Sequence, residues 1–165
     1  MTIVGILSDT HMTATNDTFL RQCAQAFSNC EIILHAGDLC DTTILSAFTG
    51  KEVHAVCGNM CNTRTRLALP AKKHILIDSY SIGLTHGAGP GHTIEERVFD
   101  MFPEASCIVY GHTHIPVCHS IGKTLFINPG SFQSTGKYGA TGTYGILHID
   151  GDGLKGSIHS LDGTP

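Results

Sequence analysis

The chain has 165 residues, a net charge of −4 and 41% apolar residues, which suits one domain able to bury a real core. No apolar run approaches the ~18 residues of a membrane span, and no basic stripe offers itself to a nucleic-acid polymer. Seven cysteines, an odd and scattered number, point to reduced thiols in a cytoplasmic protein and not to a disulfide framework. Cys23, Cys30, Cys40, Cys107 and Cys118 are expected as small core hydrophobes. A zinc clip at Cys57 and Cys61 lacks a second ligand pair at a usual spacing. Eleven histidines without a tryptophan favour a metal site but do not locate it.

"TIVGILSD" (2–9) reads as a buried first strand, with no basic leader before it. Phe19, Leu20, Cys23, Ala24 and Phe27 then keep helical spacing, with Asn16 or Asp17 as the cap. "EIILHAGD" (31–38) predicts a strand, "TTILSAF" (42–48) a short helix and "EVHAVCGN" (52–59) a third strand. "KKHILID" (72–78) and "YSIGLTHG" (80–87) form a hairpin pattern. In "HTIEERVFDMF" (92–102), Thr93 and Glu96 have capping-box spacing at the start of a helix. Strands follow at 105–112, 116–121 and 123–130, and a last hairpin joins 143–150 to 154–161 across "GDG". The stretch 134–142 reads as a loop. The expected architecture is one α/β domain over 1–165, with two sheets packed face to face and helices outside them.

The functional signal is where the polar residues fall. Five apolar runs end in "SDTH" (8–11), "GD" (37–38), "GN" (58–59), "THG" (85–87) and "GHTH" (111–114). Strand ends on one sheet edge share a crevice in α/β folds. If the backbone stays extended, residues i and i+2 project to one side. Asp9 with His11, and His112 with His114, would then each present two donors. Glycines at 37, 58, 87 and 111 allow close backbone approach. The donors collected are Asp9, His11, Asp38, Asn59, His86, His112 and His114. They are too many for one ion and suit two ions sharing a carboxylate, as in centres that clamp an in-line displacement. Two divalent ions would keep a positive surplus over two carboxylates and a hydroxide, which attracts an anionic phosphate ester. Each fragment alone is an ordinary turn; the ordered set is not.

These motifs, with "ILSDTH", "ILHAGDL", "VCGN", "LTHG", "VYGHTH" and "FINPGS", resemble the calcineurin-like metallophosphoesterases, in particular the small YfcE-type phosphodiesterase branch. The resemblance spans about residues 3–131. It implies a four-layer α-β-β-α sandwich of two mixed sheets with flanking helices. It also implies hydrolysis of small phosphate esters, diesters first, by in-line attack of a metal-bridging hydroxide. Asp9, His11, Asp38 and His114 would bind one ion, with Asp38 bridging to a second held by Asn59, His86 and His112. The mixed nitrogen and oxygen set suits manganese first, with iron, zinc, nickel or cobalt as alternatives. "NPGS" (128–131) matches the branch, and Pro129-Gly130 suits a type II turn beside the site.

Two positions depart from the pattern. Met60 and Ala88 stand where relatives often carry histidine, so no dedicated proton donor to the leaving group is evident, and His92 is the nearest substitute. His35 is expected in the core or orienting a ligand. His54, His74, His119, His148 and His159 should sit on exposed strand faces, and Arg64 and Arg66 on a solvated loop. The competing function is an interaction module of the same fold with little turnover. A dinucleotide-binding oxidoreductase is disfavoured because no G-x-G-x-x-G follows the first strand. Self-association into a homo-oligomer is left open.

Overall fold

The computed structural model describes residues 1–90, 93–133 and 141–161. In chain order, β1 (Thr2–Leu7) leads to α1 (Asp17–Ala26) and β2 (Ile32–His35). A 3-10 helix (Thr42–Phe48) precedes β3 (Glu52–Ala55), which is followed by α2 (Thr63–Ala68). The hairpin of β4 (Lys72–Ile77) and β5 (Tyr80–Thr85) precedes α3 (Ile94–Met101) and β6 (Cys107–Val109). β7 (Val117–Ile121), β8 (Thr124–Asn128), β9 (Thr143–Asp150) and β10 (Gly153–Ser160) complete the chain. Asn16 is the α1 cap, its side chain accepting from the Phe19 amide at 2.8 Å. At α3 both halves of the Thr93–Glu96 capping box form.

Among the described residues, ten strands divide into two mixed five-stranded sheets, ordered β10-β9-β1-β2-β3 and β4-β5-β6-β8-β7. Helical crossovers make β1, β2 and β3 parallel, and the last hairpin adds β9 antiparallel to β1. Val4, Ile6 and Leu34 of the first sheet pack with Ile82, Leu84, Val109 and Ile127 of the second to form the central layer. On the outer face of the first sheet, Phe19, Phe27 and Phe48 cover Leu7 and Ile33. On the other side, Val98 and Phe102 cover Ile108 and Phe126. The result is the expected α-β-β-α sandwich. Among the described residues no helix is long and apolar enough to cross a membrane.

Several local expectations change. Four strands leading into the site stop two to four residues before their first donors, at Leu7, His35, Ala55 and Val109, and β5 stops at Thr85, directly before His86. Residues 42–48 form a 3-10 helix. α2 replaces the loop expected around Arg64 and Arg66; six residues are too few for a readable apolar period, and Asn62 caps it by accepting from the Thr65 amide. Cys118 is exposed and Cys40 half-buried, whereas Cys23, Cys30 and Cys107 are buried. His54 and His148 are half-buried, while His74, His119 and His159 are exposed. His92 and residues 134–140 of the predicted loop lie outside the described residues.

Candidate metal centre

The donors converge, but by a different backbone route from simple strand alternation. Asp9, His11, Asp38, His112 and His114 have φ of 55, 48, 52, 71 and 58°, in the left-handed region. Left-handed backbone at residues other than glycine costs about 1 kcal/mol or more each and persists only where surroundings impose it. Here the imposing contacts are loop to loop. The Asp9 amide donates to Gly37 O and the His11 amide to Asp38 O, both at 3.0 Å. The concentration of such residues at one place, in ordinary loops after buried strands, marks a site whose geometry is held against local preference.

Each carboxylate has one oxygen fastened and one turned inward. Asp9 Oδ2 accepts from Ser8 Oγ at 2.5 Å and from the His112 amide at 3.1 Å. Asp9 Oδ1 is buried without a hydrogen-bond partner, yet it lies 3.1 Å from His114 Nε2, 3.7 Å from His11 Nε2 and 4.0 Å from His86 Nε2. Asp38 repeats the pattern: Oδ1 accepts from the Met60 amide at 2.7 Å, and Oδ2 lies 3.1 Å from His86 Nε2. Two close-approach glycines make this possible. A Cβ on Gly58 would fall 2.1 Å from Asp38 Oδ1, and one on Gly111 would fall 2.0 Å from Ser8 Oγ.

His86 reveals what the arrangement is built for. Its Nδ1 faces Ala36 O at 2.8 Å. A carbonyl can only accept, so Nδ1 carries a proton; Nε2 holds a second one in the charged ring that Asp38 and Asp9 favour, and in the neutral ring that a cation would meet it is a lone pair. That lone pair faces two further oxygens, Asn59 Oδ1 and Asp38 Oδ2, each at 3.1 Å. Beside it, His11 Nε2 and His114 Nε2 stand 3.3 Å apart. Converging lone pairs around an orphaned carboxylate oxygen suit cations, and an imidazole whose other nitrogen donates to a backbone carbonyl is the usual pose of a metal ligand. Two groups of three donors have all their ligand atoms within 4.8 Å: Asp9, His11 and His114, and Asp9, Asp38 and His86. Asn59 joins the second through His86, and His112 stacks its ring edge-on at 5.2 Å from that of His86. These contacts link all seven candidate donors, with Asp9, Asp38 and His86 buried and Asn59 and His112 exposed. Among the described residues no three-ligand group includes Cys57 or Cys61, and the Cys61 sulfur accepts from the Gly58 amide.

The electrostatics are strongly coupled. Burial opposes ionisation of Asp9, but His11, the charge of His86 and the Ser8 hydroxyl outweigh it and hold the carboxyl below its ordinary value. Asp38 is likewise lowered, its burial outweighed by His86 and the Met60 amide. His11 is raised by Asp9; His86 is raised by Asp38 and Asp9 in spite of its burial. His112 is lowered by burial and by the neighbouring His86 charge. The centre thus favours anionic carboxylates wherever positive charge is close.

A family model, "Calcineurin-like phosphoesterase superfamily domain", matches residues 1–152. The chain belongs to the calcineurin-like phosphoesterase superfamily. A "Probable metallophosphoesterase" of Methanothermobacter thermautotrophicus is 31% identical over 159 residues, covering 94% of this chain and 91% of that one. "Phosphodiesterase YfcE" of Escherichia coli K12 is 33% identical over 78 residues, covering 47% of this chain and 40% of that one. Among solved structures, one described as a novel archaeal phosphodiesterase superposes with a TM-score of 0.74 at 23% identity, covering 95% of this chain and 99% of that one. This small phosphoesterase therefore shares the superfamily's metal-using fold and carries a candidate ligand set.

Further residues support the site: "NPGS" and His35, expected near it from the sequence, and Arg66, which was not. Ser131 Oγ donates to Asp9 O at 2.9 Å, and Asn128 Nδ2 donates to Gly111 O at 2.8 Å, so "NPGS" ties the "SDTH" and "GHTH" loops together. Gly130 has φ 76°, as the second central position of a type II turn requires. Arg66 is not free surface charge: its guanidinium holds Cys61 O at 2.8 Å and Asn59 O, bracing the loop that presents Asn59. His35 lies under the centre, its Nε2 3.1 Å from Thr10 Oγ1, and complete burial lowers its pKa to about 3. The motif context signalled the "NPGS" brace; nothing local signalled Arg66.

Proposed function

We propose that this calcineurin-like phosphoesterase, acting as a single domain over 1–165, hydrolyses small phosphodiesters with two divalent transition-metal ions. Asp9, His11, Asp38 and His114 would hold one ion, and Asp38, Asn59, His86 and His112 the other, manganese being the first choice. The observation that carries the reading is the inward face of the centre: an orphaned Asp9 Oδ1 and the His86 Nε2 lone pair. When bound, two such ions lower the pKa of a water and offset phosphate charge.

The chain's own contribution is orientation. Ser8, the His112 amide and the Met60 amide pin the outward carboxylate oxygens, so Asp9 Oδ1 and Asp38 Oδ2 need not reorganise. Ala36 O fixes the His86 tautomer, and Arg66 steadies the Asn59 loop. Met60 and Ala88 offer no proton to a departing alkoxide. Aryl diesters, whose leaving groups need none, should therefore be turned over faster than alkyl monoesters.

The test is metal analysis of the purified protein with hydrolysis of bis-p-nitrophenyl phosphate, with and without manganese. Manganese-dependent turnover and about two ions per chain are expected. Tight metal binding without turnover would instead support the interaction-module alternative.

A further inference from the structure

A cleft of about 280 Å³ opens beside the candidate metal centre, with Asn59, His86, Ala71, Lys72, Thr85 and Met101 among its lining residues. It has the size of one ring-bearing group and falls just short of the ~300–1,000 Å³ typical of sites for larger ligands. Two of its polar wall groups are already engaged: the Thr85 hydroxyl donates to Ala71 O at 3.2 Å and the Cys57 amide to Pro70 O at 2.9 Å. Ala71, Ala88 and Met101 add apolar side chains to the lining, which favours a flat apolar or aromatic group. One formal cation stands on this wall. Lys72 Nζ lies 6.0 Å from the Phe102 ring centroid and pairs with no carboxylate among the described residues. Lys72 opens β4 directly opposite Thr85, the residue before His86, so cation and metal centre are held in one register.

We propose that this cleft seats one organic arm of the phosphoester, an aromatic ring carrying an anionic substituent that meets the Lys72 ammonium. The inference rests on the reading that phosphate binds at the Asp9–His86 centre, and it specifies the substrate class. Phosphate would engage the metals while the ring lies over Ala71 and Met101 and its carboxylate or equivalent anion reaches Lys72. Substrates bearing a small neutral alkyl arm would leave the cleft empty and gain nothing from it.

Calorimetric binding to the manganese-loaded protein, which needs no turnover, tests this with methylphosphonate, phenylphosphonate and 4-carboxyphenylphosphonate. The aryl compound should bind roughly tenfold tighter than the methyl one from buried ring area, and the carboxylate should add a further factor of about three to five. Lys72→Gln should abolish only the carboxylate increment. Ala71→Phe, at an exposed position, should fill the cleft and abolish the ring increment while leaving methylphosphonate affinity unchanged. Equal affinities for all three ligands in the unmodified protein would overturn the proposal and leave the phosphoesterase reading standing. Failure of all three to bind would overturn both.

Discussion

The floor and the rim of the candidate metal centre are made in different ways. Asp9, Asp38 and His86 are at most 3% exposed, and each has one polar atom fastened by a backbone group, so the remaining atom has a single direction to face. Asn59 and His112 are exposed and reach the centre from loops after β3 and β6, steadied by longer-range braces such as Arg66. A buried donor is positioned by groups that have no alternative partner, whereas an exposed one competes with water and needs a brace. The floor should therefore set whether ions bind, and the rim should tune how well the centre works.

Breaking the floor should have the largest effect. His86→Ala removes the ring nitrogen that Asn59 Oδ1 and Asp38 Oδ2 both face, and should cost one ion per chain and more than about 100-fold in activity, beyond the ~10–100-fold usual for outer partners of a ligand. Metal content measured beside turnover checks this, and retention of two ions would sink the assignment. Gly58→Ala comes next. Its Cβ would meet Asp38 Oδ1 at 2.1 Å, so the carboxylate must move, and metal affinity should fall by about 10–100-fold in a folded protein.

His35 sharpens the comparison from below the floor. Its folded pKa of about 3 lies well under the ordinary ~6.5. The unfolded chain therefore binds the extra proton, so the stability from keeping His35 neutral is full above about 6.5 and is lost as pH falls toward 3. Between pH 7 and pH 5 the metal-free protein should lose about 2 kcal/mol more than its His35→Gln variant. Parallel denaturant titrations at the two values decide it, and identical losses would contradict the burial. The smallest effect is expected at the rim. Arg66→Ala frees the Asn59 carbonyl at an exposed site, so turnover should fall only about tenfold with metal content unchanged. A collapse in metal content would show that rim and floor are not separable.

Much of this was legible before any coordinates. The candidate donors Asp9, His11, Asp38, Asn59, His86, His112 and His114 could be picked out because each follows an apolar run, and such runs favour strands. The sandwich was legible for the same reason, since α1 and α3 carry readable apolar periods and caps. α2 was not, because six residues bracketed by loops leave no period to read. Arg66 looked like solvated charge because its partners, Cys61 O and Asn59 O, are backbone atoms that carry no sequence signature.

By itself, then, the order of residues determined which side chains follow the strands and which faces are apolar, because hydrophobic patterning and turn chemistry are local. Only the packed fold decided how the donors meet. The left-handed backbone at Asp9, His11, Asp38, His112 and His114 is imposed by hydrogen bonds between loops far apart in the chain, such as Asp9 to Gly37 and Ser131 to Asp9. No local preference favours that conformation, so it exists only when the two sheets have brought those loops together.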